Sequence, residues 1–283
     1  GGDRPFFAFL NYFDAHVPYD PVPDLERRFR RGSPRRFEWI EWGLRTAWFP
    51  KNLPVTPDSL AGEIDAYDAA IASIDAEISR LLEELRRRRV LDRTIVVVTS
   101  DHGEAFGEHG RAGHGLSLYE EELWVPLVLR YPRAVPAGLR VHEPVSVRSV
   151  ASTVADLAGL RARFPGPSLR GVWGGALTRA PVVAEVVAFD GQELESTRAG
   201  RMKYIRARDP AGNVHEEAYD LGSDPGEFQN LLAAGQERVP VIAALRASLD
   251  SALASPVVAS WRVPGERGGG ELTRAGGGGP RPR

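Results

Sequence analysis

The run Ser100-Asp101-His102-Gly103-Glu104 sets a carboxylate beside an imidazole directly after the β-branched stretch Thr94-Ile95-Val96-Val97-Val98-Thr99. A carboxylate with an imidazole is a mixed donor pair that suits Mn2+, Zn2+ or Ca2+. Neighbouring residues of a strand face opposite ways, so Asp101 and His102 share a target only if the chain bends, and Gly103 permits a bend. Downstream, Gly107-Glu108-His109-Gly110 and Gly113-His114-Gly115 hold further imidazoles between glycines, where backbone and ring can approach an anion closely. Asp14 and His16 form another acid–imidazole pair, after the apolar run Phe6 to Phe13. Asp14 reads as a turn residue and His109 as a structural hydrogen-bonding group, while His142 and His215 lie in no motif.

Ligands of open parallel sheets bind beyond the carboxyl ends of strands, so the two apolar runs should be the strands that position these residues. Phe6 to Phe13 reads as a buried strand, and its place so near Gly1 reads as a truncated chain. Thr94 to Thr99 and Val125 to Leu129 read as strands covered on both faces. Between them and the N-terminal run lies a long helix with Thr56 as N-cap and Pro57 in its first turn. Its apolar stripe is Ile64, Tyr67, Ile71, Ile74, Ile78, Leu81 and Leu85, and Glu83 and Glu84 precede Arg87 and Arg88 by one turn. Val147 to Leu160 reads as a helix stopped near Gly159. Strand, helix and strand at these lengths predict a mostly parallel sheet flanked by helices.

Beyond about Arg179 the pattern changes to short strands at Val182 to Phe189, Met202 to Arg208 and Val214 to Leu221, with turns at Asp190-Gly191, Asp209-Pro210 and Ser223-Asp224-Pro225. Val239 to Leu253 is a closing amphipathic helix. The expected organisation is therefore an α/β core over 1–178, a small antiparallel α+β subdomain over 179–262 and a disordered tail over 263–283. The arginine-rich segment Arg27 to Arg36 reads as a solvated loop, and Phe37, Trp39, Trp42, Trp48 and Phe49 read as a packing patch.

Composition narrows the chemistry. With 36 Lys and Arg against 38 Asp and Glu, the formal net charge is −2, which argues against a nucleic-acid partner. The chain has no apolar stretch long enough to span a membrane and no signal-peptide pattern at Gly1. It has no cysteine, which removes disulfides, thiolate ligands and a cysteine nucleophile from these residues. Only Lys51 and Lys203 are lysines, a bias attributable to genome composition.

Several of these segments together resemble one family. Thr94 to Pro132, with Ser-Asp-His-Gly-Glu, Gly-Glu-His-Gly, Gly-His-Gly and Leu-Tyr-Glu-Glu-Glu-Leu-Trp-Val-Pro-Leu-Val, resembles the sulfatase family of the alkaline phosphatase superfamily. Phe6 to Tyr19 resembles its central strand and histidine loop. Glu217 to Leu221, with Asp224-Pro225-Gly226-Glu227 and Asn230-Leu231, resembles its C-terminal subdomain. The resemblance implies a three-layer α/β/α, mostly parallel sheet, here incomplete, carrying the small antiparallel α+β subdomain. It implies one divalent metal ion, calcium by family with Mn2+ or Zn2+ as alternatives, held by Asp101 and His102.

By the same resemblance His16 contacts the transferred group near the leaving oxygen, and His114 stands where many sulfatases carry a lysine. A histidine titrates at about 6.5, whereas lysine stays cationic at neutral pH. His114 is thus open to three roles: an ester-protonated cation, a general acid or a ligand of a second metal, the last leaning toward phosphoryl transfer. The family's early acidic ligands and its Cys-x-Pro-x-Arg nucleophile are expected upstream of Gly1. Three readings follow: a hydrolase of small-molecule or carbohydrate sulfate esters, a phosphodiesterase, phosphatase or phosphotransferase with a Ser or Thr nucleophile, and a non-catalytic fragment. The expectation for the chain alone is negligible esterase activity and weak metal affinity.

Overall fold

The computed structural model describes residues 4–19, 21–31, 57–162, 164–174, 180–188, 191–233 and 240–254. The Thr56 cap, the aromatic patch from Phe37 to Phe49 and the tail over 263–283 lie outside them.

The N-terminal apolar run corrects the first expectation. Phe6 to Phe13 forms no strand, and Phe7 is 83% exposed, with Phe6, Phe9, Leu10 and Phe13 also exposed. A strand exists only where another strand answers its N–H and C=O groups, and none does so among the described residues. The chain then turns at Asp14, where the His16 N–H reaches the Phe13 carbonyl at 3.0 Å. Helix α1 (Pro23–Phe29) follows. Arg27 and Arg28 lie on it, and Arg31 donates to Asp65 from its backbone N–H at 2.6 Å and its Nε at 2.7 Å.

Helix α2 (Pro57–Arg87) is the long helix expected. The residues it buries are chiefly small: Gly62, Ala66, Ala69, Ala70 and Ser73. The bulky stripe is only half-covered, and Ile71 is exposed. Close approach by small residues, rather than knobs of isoleucine, joins this helix to its neighbours. At its end Glu84 pairs with Arg87 at 2.7 Å and with Arg88 at 2.5 Å.

Strand β1 (Val96–Thr99) carries the Ser100 to Glu104 run at its carboxyl end. It is followed by two very short strands, β2 (Ala105–Phe106) and β3 (Ala112–Gly113), then helix α3 (Glu120–Leu123) and strand β4 (Leu127–Arg130). β4 lies antiparallel to β1, with Val96 opposite Arg130 and Thr99 opposite Leu127. The expected parallel order is therefore not formed: every strand pair among the described residues is antiparallel. The fold is mixed α/β. Helix α4 (Ser149–Leu157) ends two residues before Gly159, which takes φ +70°, and α5 (Arg170–Trp173) is a single turn.

The C-terminal part is a meander of β5 (Val182–Val187), β6 (Glu193–Ala199), β7 (Met202–Arg208) and β8 (Val214–Asp220), closed by α6 (Pro240–Leu253). β6 was not foreseen, because Glu-Leu-Glu-Ser-Thr-Arg-Ala has no apolar run; its place between two partners supplies the ladder instead. Alternation divides the sheet. Tyr204 and Ala218 face α6 and pack on Ile242, Leu245 and Leu249. Leu194 and Ala207 face the other way, onto Leu116, Leu118 and Leu123. No described helix is long and apolar enough to cross a membrane.

Candidate active site

The hairpin of β2 and β3 sets the geometry of the site. Ala105 lies opposite Gly113, so the next pair in the same register is Glu104 and His114. Cross-strand neighbours stand within reach of each other, and His114 Nδ1 lies 3.1 Å from Glu104 Oε1. Glu104 is nearly buried, its side chain 4% exposed. The hydrogen bond to Glu104 raises the His114 pKa above the ordinary imidazole value, against the opposing effect of burial.

His102 stacks on His114, ring centres 3.9 Å apart, and His16 meets His114 edge-on at 5.6 Å. The histidine loop is clamped from both sides of His16. Ala15, Val17 and Tyr19 pack on Ala66, Tyr67 and Ala70 of α2 and on Phe106 of β2. Phe13 stacks on the His16 ring at 4.3 Å, rather than Tyr12 or Tyr19. Burial first, then the negative charge and hydrogen bond of Glu104, push the Tyr19 hydroxyl well above its ordinary range.

Asp101 and His102 stand at the end of β1. His102 Nδ1 lies 2.8 Å from the Gly103 carbonyl, which can only accept, so Nδ1 carries the proton and Nε2 a lone pair. His16 Nδ1 makes the same kind of bond to the Val17 carbonyl at 2.6 Å. This pattern is the usual one for imidazoles that ligate a metal. His102 Nε2 and Asp101 Oδ2 are 3.8 Å apart, a span one ion can bridge with bonds of about 2.0–2.6 Å. The Asp101 side chain is 88% exposed, and its Oδ1 accepts from the His102 N–H at 3.1 Å, so that Oδ2 is the oxygen turned to the ring. The pair therefore fits two positions of a coordination shell. Among the described residues no group of three or more His, Asp or Glu side chains gathers to complete one.

Gly103 serves a purpose other than the bend expected of it. Its N–H donates to the Glu122 carbonyl at 2.8 Å, and a Cβ there would meet the Glu121 carbonyl oxygen at 2.0 Å. Only glycine lets the two backbones come this close.

Residue spacing does not announce α3, where consecutive glutamates grip different parts of the molecule. Glu122 accepts from the Gly115 N–H at 2.6 Å and the Ser117 hydroxyl at 2.5 Å, tying down the loop that follows His114. Glu121 faces His109 at 3.5 Å. His109 is structural, as expected: it stacks on Tyr119 at 3.8 Å and its Nε2 lies 3.0 Å from the Gly226 carbonyl. Glu120 joins Arg198 and, at 3.0 Å, Lys203, whose ammonium also meets Glu227 at 2.9 Å. Glu217 gathers the Tyr119 and Tyr219 hydroxyls at 2.9 and 3.0 Å. These bonds hold the site loop against β6, β7 and β8. No local signal marks Lys203: alternation sets it on the face opposite Met202 and Tyr204, where a lysine is ordinarily solvated, and its burial comes from Glu120 and Glu227.

A family model described as Sulfatase matches residues 1–160. The chain is 34% identical over 188 residues to a choline-sulfatase of Rhizobium meliloti (strain 1021), covering 64% of this chain and 35% of that protein. A structure solved in complex with its substrate D-glucosamine-2-N,6-O-disulfate superposes with a TM-score of 0.59 at 27% identity, over 69% of this chain and 41% of the other. The phosphonate monoester hydrolase of Agrobacterium radiobacter gives 0.58 at 25% identity, over 70% and 42%. The chain thus spans about a third of the length of the curated relatives it matches.

Proposed function

Since the chain belongs to the sulfatase family, we propose that its histidine cluster is part of the active site of a metal-dependent hydrolase of small-molecule or carbohydrate sulfate esters. The observation that carries this reading is the convergence of Asp101, His102, His114 and His16 beyond the end of β1. Asp101 and His102 would hold one divalent ion, calcium by family, with Mn2+ or Zn2+ as alternatives. Bound there, such an ion supplies stabilisation of the negative charge that develops on the ester oxygens.

The rest falls to the imidazoles. Each of His16 and His102 keeps Nδ1 on a backbone carbonyl, which would leave the Nε2 of His102 for the ion and that of His16 for the substrate. His16 and His114 would bind the sulfuryl oxygens, and a protonated Nε2 would give its proton to the leaving oxygen as that oxygen's bond to sulfur breaks. The raised pKa of His114 favours the cation that a lysine would otherwise supply. The chain has no cysteine, so a cysteine-derived nucleophile would come from outside these residues. The three-layer α/β/α arrangement belongs to the same proposal, with Phe6 to Phe13 taking a place in its sheet once strands flank it.

The second reading, phosphoryl or phosphonyl ester hydrolysis, is favoured by the likeness to the phosphonate monoester hydrolase and by a histidine at position 114. One assay separates the two. An aryl sulfate and an aryl phosphate are offered to the 283-residue chain and to the product of the complete gene. The expected result is negligible turnover by the chain and preferential sulfate release by the complete protein. His16→Ala should cost the latter about 10²–10⁴-fold. Preference for phosphate would install the second reading. Sulfate release by the chain alone, abolished by Asp101→Ala, would remove the need for an outside nucleophile.

A further inference from the structure

The three clustered imidazoles are oriented by different means. His16 and His102 each use the backbone carbonyl of the next residue, an acceptor that travels with the histidine itself. His114 uses a side chain ten positions earlier, brought opposite by the β2–β3 register. That side chain, Glu104, is nearly buried, and a buried carboxylate is tolerated only when donors satisfy it. Its donors are His114 and the Tyr19 hydroxyl. Tyr19 is itself fixed by packing against Ala66, Ala70, Tyr67 and Phe106. Glu104 is therefore not a spare ligand: its oxygens are spent inward, whereas those of Asp101 are open to solvent.

We infer that Glu104 is a positioning residue of this site, which accepts the Nδ1 proton of His114, fixes the ring and leaves Nε2 as the nitrogen presented to the ester or to a metal. An imidazole without such a partner can rotate about its Cβ–Cγ bond and exchange its two nitrogens. A carboxylate acceptor selects one of the two arrangements. The inference deepens the reading of His114 as a substrate-facing group and rests on it for significance. The orientation itself is a property of the resting protein.

The test is a long-range 1H–15N correlation spectrum of the 283-residue chain labelled with 15N-histidine, recorded at alkaline pH, with His114→Gln used to assign the signals. The expected result is the Nδ1–H tautomer at His114 with a strongly deshielded Hδ1. Glu104→Ala should abolish that preference. In Glu104→Gln the amide oxygen still accepts, so the tautomer stays while Hδ1 moves upfield as a charge-assisted bond becomes a neutral one. An Nε2–H tautomer in the wild type would overturn the inference. So would an unchanged tautomer in Glu104→Ala, or an unmoved Hδ1 in Glu104→Gln, and the wild-type and Glu104→Gln measurements stand even if the alanine variant does not fold. No ester is present in this experiment, so its outcome is independent of the turnover assay.

Discussion

The histidine cluster and the junction behind it use the same residue types to opposite ends. At the junction, Glu120, Glu227, Arg198 and Lys203 neutralise one another, and Lys203 and Glu227 are withdrawn from solvent altogether. At the cluster, Asp101 is exposed, and His16 and His102 are held to the protein through Nδ1 on a backbone carbonyl, with the Asp101 carboxylate facing the Nε2 of His102 at 3.8 Å. Charges that are fully paired hold elements together, and charges left open are available for a ligand. The difference teaches that the carboxylates of one short segment divide by partner: Glu104 and the α3 glutamates build the site, while Asp101 faces outward from it.

The contrast can be broken most forcefully at Lys203. Lys203→Met leaves Glu227 buried without its cation, and loss of one partner of a buried pair costs about 3–5 kcal/mol. A urea unfolding curve should show that loss, and Lys203→Met/Glu227→Gln should recover much of it, a coupling a double-mutant cycle would quantify. Gly103→Ala comes next. The added methyl meets backbone oxygen at 2.0 Å, and overpacking of this kind costs about 1–3 kcal/mol, visible as a lower thermal midpoint.

At the open side, the expected effects fall on binding instead of folding. Asp101→Ala should leave stability within about 0.5 kcal/mol and abolish whatever Ca2+ or Mn2+ binding calorimetry detects in the chain. A loss of stability comparable to that of Gly103→Ala would place Asp101 among the structural carboxylates. The smallest effect belongs to Glu84, whose pKa is held down at about 2 by its hydrogen bonds to Arg87 and Arg88. A depressed carboxylate adds stability above its unfolded value of 4.5 that disappears as pH falls through about 2. Helical circular dichroism followed over that interval should fall slightly further in the wild type than in Glu84→Gln.

Local pattern made much of this architecture legible. Proline and a three–four apolar rhythm located α2, β-branched residues located β1 and β4, and Gly159 marked the end of α4. What local pattern lacks is the partner. Phe6 to Phe13 and Val96 to Thr99 are comparably apolar, yet among the described residues only the second has a strand beside it. The antiparallel pairing of β1 with β4 was hidden for the same reason. Within the site, Asp101, His102, His114 and His16 were visible as residue types near strand ends. Glu104 was not, because its importance comes from a register that no single segment contains. Glu120 and Lys203 pair across 83 positions, a separation that spacing rules do not reach.

The short hairpin that pairs Glu104 with His114 also bears on how this segment can change in length. Side chains alternate along a ladder, so inserting one residue into β2 or β3 alone would turn the imidazole to the opposite face. Residues added between Phe106 and Ala112 would leave that alternation intact. His109 restricts even this freedom, since it must still reach the Gly226 carbonyl. Variation between these strands should therefore favour substitution over insertion, with length conserved at both ends for unrelated reasons: parity at the base and reach at the tip.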